Sequence, residues 1–107
     1  MPVGNEHTLL IRVANADPTA LDPVVSVLVQ RLNNGLLDAG DERPLIDWLN
    51  DFATISEHLC SKIVATISKD VLDYYGSDHA EQRLRINARQ LSETLRAAHP
   101  RRLFRLM

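Results

Sequence analysis

From Leu45 to Tyr75 the apolar residues recur at the helical period. Leu45, Trp48, Leu49, Phe52, Ile55, Leu59, Cys60, Ile63, Val64 and Ile67 fall on one half of a helical cylinder. Asp47, Asn50, Asp51, Thr54, Glu57, His58, Ser61, Lys62, Ser68 and Lys69 fall on the other half. An apolar face that wide can receive two neighbouring helices. Pro44 suits the first position of this helix, where its missing N–H has no intrahelical acceptor. The pattern therefore predicts a long central helix near residues 44–75.

A second helix is predicted near residues 22–39, with Val25, Leu28, Val29, Leu32 and Leu36 on its apolar face. Asp22 and Pro23 mark its start, and Asp17-Pro18 before them predicts a turn or a single helical turn. Gly40 is placed as its stop. A third helix is predicted near residues 78–99, opened by Asp78 and Glu81 at capping-box spacing and ended by Pro100. Its narrow stripe is Ala80, Leu84, Ala88, Leu91, Leu95 and Ala98. Residues 1–16 read as an irregular or helical arm. The alternation of Leu9, Ile11 and Val13 also suits a short strand, which would need a second copy as its neighbour.

These elements give an all-α fold, a single antiparallel helical bundle of three main helices. Folding about Gly76-Ser77 sets Leu91 against Ile63, Leu95 against Leu59, Thr66 against Asn87 and Asp70 against Arg83. A straight helix of about 31 residues would span about 47 Å. A globule of this chain length has a radius of gyration near 13 Å, so the rod must bend, the molecule must be elongated, or two copies must pack along it. A homodimer along the long helix is the expected assembly. Asp70, on the apolar face, marks a bend near Ser68-Lys69-Asp70 or a buried partner.

Composition narrows the class. The 107 residues are 45% hydrophobic and 24% charged, as in ordinary soluble domains. No apolar run approaches the roughly 20 residues of a membrane span. The start, Met1 to His7, has no signal-peptide pattern, and Cys60 has no second cysteine to pair with. The expected location is cytoplasmic.

Charge is uneven along the chain. Residues 1–77 hold 5 basic and 11 acidic side chains, whereas residues 78–107 hold 7 Arg, no Lys and 3 acidic side chains. The plain reading pairs the basic third with the acidic remainder, within the fold or across a dimer. The sharper reading is an anionic partner, because Arg makes planar multi-donor contacts to carboxylates and phosphates. Arg85, Arg89 and Arg96 share one face of the last helix, and Arg101, Arg102, Phe104 and Arg105 follow in a basic, apolar tail over residues 100–107. These seven residues form the candidate partner-binding site.

Catalytic and metal chemistry have no comparable support. His7, His58, His79 and His99 lack metal-ligand spacing, and no phosphate loop or nucleophile elbow is present. Asp51, His58 and Lys62 share a polar face, as solvated side chains do. Cys60 is expected to be a buried structural thiol. The sequence thus points to a non-enzymatic protein–protein interaction module, a regulator, adaptor or assembly chaperone without cofactor or metal. A nucleic-acid-binding protein using the same Arg face is the alternative.

Overall fold

The break at Ser56 decides how the chain is folded. The computed structural model describes residues 3–35 and 40–98. Among these the chain is all-helical, with no strand. Its helices are α1 (Val3–Ala16), α2 (Asp22–Asn34), α3 (Glu42–Ile55), α4 (Glu57–Thr66), α5 (Lys69–Tyr75) and α6 (Gln82–Ala98). A single 3₁₀ turn, Pro18–Leu21, joins α1 to α2 at the expected turn.

The predicted long helix is three helices. At Ser56 the backbone is extended, with φ −136° and ψ 124°. Its Oγ accepts from the Leu59 N–H at 3.2 Å, so a serine that ends α3 also caps α4. Little is lost at the break, because the Ser56 N–H still reaches Phe52 and the Cys60 N–H still reaches Ser56. The gain is that α3 and α4 pack against each other. A continuous rod would have kept the two halves of its apolar face apart.

A second break falls at Ile67-Ser68, both extended. It lies where Asp70 marked a bend. Asp70 opens the first turn of α5, where a carboxylate suits the positive helix end. The side chain of Asn33 on α2 spans this break. Its amide donates to the Thr66 carbonyl at 2.9 Å and its carbonyl oxygen accepts from the Ser68 N–H at 2.9 Å.

These turns revise the expected pairings. α6 packs most extensively on α3, and the two run parallel. Leu84 lies beside Glu42 and Arg43, while the Thr94 hydroxyl donates to Asn50 Oδ1 at 2.9 Å. Leu59, Ile63, Leu91 and Leu95 are all fully buried in one core, but Thr66 bonds Asn33 rather than Asn87. Asp70 is exposed at the end of α2, and Arg83 acts on Asp47 instead. Antiparallel pairing to a continuous partner fails because the chain turns twice before α6 begins.

Helix ends shift in the same way. α2 stops at Gly35, whose φ of 66° is left-handed, well short of Gly40. Leu36 to Ala39 lie outside the described residues. α6 starts at Gln82, after a turn held by Ser77, with Glu81 Oε1 accepting from the Arg83 N–H at 2.8 Å. Residues from Val3 to Ala16 form a helix, not a strand; α1 packs on α3, and its Ala14 joins the core with the half-buried Leu10, Ile11 and Val13 packed against it.

The core runs through every helix and is centred on Phe52, Ile46, Leu49, Leu59, Ile63, Leu91 and Leu95. Each such side chain contributes about 1.5–3 kcal/mol on burial. The radius of gyration is 13.1 Å and the extents are 35 × 32 × 21 Å. Folding of the spine therefore removes the length problem without a second copy. Among the described residues no helix is long and apolar enough to cross a membrane.

Candidate functional site

Pro44, Asp47, Trp48 and Asp51 recur at i, i+3, i+4 and i+7, one stripe of α3. The opposite stripe, with Leu45, Ile46, Leu49 and Phe52, anchors α3 in the core and fixes where the outer stripe points. Trp48 is half-buried and stands between two grooves. One, about 320 Å³, runs towards α1 and α2 and is lined by Glu6, Leu28, Arg31 and Asp41. The other, about 480 Å³, runs towards α1 and α6 and is lined by His7, Asp47, Asn50, Asp51 and Gln90.

α1 reaches this stripe through one residue. The His7 ring stacks on Trp48 with centroids 5.3 Å apart, and its Nε2 lies 2.9 Å from Asp51 Oδ2. The stack covers one ring face and leaves the rest of Trp48 to line the grooves. On α6, Ile86 is one turn before Gln90 on the same face, and 54% of it is exposed. Gln90 itself lines the larger groove.

The groove brings two carboxylates together, with His7, Arg43 and Arg83 nearby to offset them in part. Asp47 and Asp51 are like charges at i, i+4, which repel. Asp47 is open to water on its outer side, yet packing around its carboxyl raises its pKa above the usual value. Asp51 raises it further, while Arg43, His7 and Arg83 work in the opposite direction. His58, from the same predicted polar face, is drawn away to Asp22 at 2.7 Å, tying α4 to α2.

The Arg face expected from the sequence is largely engaged within the molecule. Arg85 Nη1 lies 3.1 Å from Asp78 Oδ1. Arg89 Nε donates to the Gly76 carbonyl at 2.7 Å, holding the end of α5 against α6. Arg96 also has an interaction partner. Arg101, Arg102, Phe104 and Arg105 lie outside the described residues.

Other chemistry is sparse. Cys60 is buried, and desolvation, aided by Glu57, raises its thiol pKa, which disfavours the nucleophilic thiolate. Among the described residues no group of three or more His, Cys, Asp and Glu could hold a metal ion. The His7–Trp48–Asp51 junction is the feature that sequence reasoning missed. Its one visible trace was Trp48 at the margin of the apolar half, beside two carboxylates one turn apart. No protein-family model, curated protein or solved structure matches the chain.

Proposed function

We propose that this helical bundle is a small non-enzymatic protein–protein interaction module, and that its partner is met on the α3–α6 face around Trp48. One observation carries the reading: Trp48 lines a groove with Asp47 and Asp51, and on the neighbouring helix α6 the exposed Ile86 lies one turn before Gln90, which lines the same groove. A large aromatic beside an exposed branched aliphatic is the make-up of an interface anchor, where a few such residues carry most of the binding energy. The carboxylates select a partner segment with basic residues, whose approach relieves the repulsion between Asp47 and Asp51.

This moves the expected recognition away from the Arg face. Arg85 and Arg89 make surface contacts with Asp78 and the Gly76 carbonyl, which leaves fewer of their donors for an anionic partner and ranks the nucleic-acid alternative second. A second copy of the chain is one partner this face could take, and light scattering separates that case from a different protein.

The test is reconstitution. A partner captured by cross-linking is purified and titrated against the unmodified chain, Ile86→Ser, Asp47→Arg and Arg85→Ala. The reading expects Ile86→Ser and Asp47→Arg to weaken binding at least tenfold and Arg85→Ala to leave it nearly unchanged. The reverse ranking would return recognition to the Arg face.

A further inference from the structure

We propose that the groove between the end of α2 and α5 is a docking site for an arginine side chain of a partner polypeptide. The groove is about 320 Å³ and shares no lining residue with those beside Trp48, so this inference stands apart from the function proposed above. Its apolar floor is Leu32 and Val71, and its aromatic wall is Tyr74 and Tyr75. The two rings meet nearly edge to face, with centroids 5.4 Å apart and planes 74° apart. Tyr74 is 56% exposed, although His79 stacks on its ring at 6.4 Å.

Two features make this corner negative, and the neighbouring cation is engaged elsewhere. Asp70 lines the groove and makes no hydrogen bond or ion pair among the described residues. The neighbouring cation, Lys69, is already held by Asp73 at 2.6 Å. The C-terminal carbonyls of α2 end here at Gly35, and they carry the negative end of the helix dipole. Burial first, then Glu42 and Tyr74, raise the pKa of the Tyr75 hydroxyl, so it stays a neutral phenol.

A guanidinium matches this set better than an ammonium. It is planar, so it can lie on a tyrosine ring while its edge donates to a carboxylate and to carbonyl oxygens. The apolar floor then takes the stem of the arginine or an apolar neighbour in the same peptide. That last contact favours a polypeptide over a free small cation, which would leave the half-buried Val71 uncovered.

The experiment is an NMR titration of the full-length chain with three capped peptides, Gly-Arg-Leu, Gly-Lys-Leu and Gly-citrulline-Leu. Citrulline keeps the shape of arginine and lacks its charge. The Arg peptide is expected to shift amides from Asn33 to Gly35 and from Val71 to Gly76, and to bind more tightly than the other two. Asp70→Asn and Tyr74→Ala should each weaken it by about twofold to fivefold, the span of one exposed cation–π contact or ion pair. Both positions are exposed, and circular dichroism confirms that the fold is kept. Equal binding of the Arg and citrulline peptides, shifts elsewhere on the molecule, or undiminished binding to both variants would overturn the proposal.

Discussion

Asn33 bonds the backbone on both sides of the Ile67-Ser68 break, accepting from the Ser68 N–H and donating to the Thr66 carbonyl, each at 2.9 Å. One side chain on α2 therefore replaces the main-chain bonds that a continuous helix would have made there. Its amide suits the role because it offers an acceptor and a donor in one plane. Asn33→Ala should destabilise the fold by about 1 kcal/mol, the cost of bonds that are only partly shielded from water. Asn33→Asp keeps the acceptor and loses the donor, so it should fall between the two. Urea unfolding measures both, and a loss below about 0.3 kcal/mol for Asn33→Ala would show that the break holds itself.

The His7–Trp48 contact makes a prediction about α1. Trp48 is the one tryptophan, so its fluorescence reports the docking of α1 on α3 without a label. His7→Ala removes the stacked ring and the bond to Asp51, and the emission should shift to the red as water reaches the indole. His7→Phe restores the ring without the bond. If stacking holds α1, the phenylalanine variant should emit like the unmodified chain. If the Asp51 bond holds it, both variants should shift alike, and the aromatic contact would be incidental.

Much of the fold is legible in the apolar pattern, but not every place where the chain turns. Leu45, Leu49, Phe52, Leu59 and Ile63 were placed correctly on the buried side, because helical period alone decides which face is apolar. The bend near Ser68 was flagged by Asp70, whereas the break at Ser56 escaped because a single serine between Phe52 and Cys60 on the apolar face does not by itself stop a helix. A serine is tolerated inside a helix and favoured at its start, and only the packing of α3 on α4 chooses between these. The groove residues were legible as types but not as neighbours. Asp47 and Asp51 looked like a solvated face, since nothing local shows that α6 and His7 flank them. Pairing of the arginines within the fold was the plain reading, but the sequence did not say with which groups Arg85 and Arg89 would pair. Their partners, Asp78 and the Gly76 carbonyl, lie across a turn whose shape the sequence does not give.

Asp47 gives the pH dependence a sign. Its folded pKa is raised, so the native state prefers the protonated carboxyl. The stability tied to that preference is fully present below the unfolded value, near 3.8, and is lost as pH rises through the folded value. At pH 7 the carboxylate is thus a small liability. Asp47→Asn should raise stability there by about 0.3 kcal/mol, the size of a like-charge i, i+4 repulsion. The gain should vanish at pH 3, where both forms are neutral. Paired urea curves at the two pH values check it, and a loss of stability at pH 7 would mean that Arg43 and Arg83 outweigh Asp51.

Gly35 separates backbone strain from crowding. With φ at 66° it sits in the left-handed region, and a Cβ added there would meet nothing within 4 Å. Gly35→Ala should therefore cost about 1 kcal/mol through conformation alone. Asn tolerates the same region better, so Gly35→Asn should cost less. Gly76 is the contrast. Its φ of −87° is ordinary, but a Cβ would lie 3.2 Å from the Leu72 carbonyl oxygen and 3.5 Å from the Arg89 side chain. Alanine at that position crowds the Leu72 carbonyl, whereas 3.5 Å to the Arg89 side chain is ordinary contact, so the two variants lose stability for different reasons. Arg89→Ala should therefore leave the added cost of Gly76→Ala, like that of Gly35→Ala, nearly unchanged. A double-mutant cycle measures this, and coupling at Gly76 above about 0.5 kcal/mol would show that the Arg89 side chain carries the crowding.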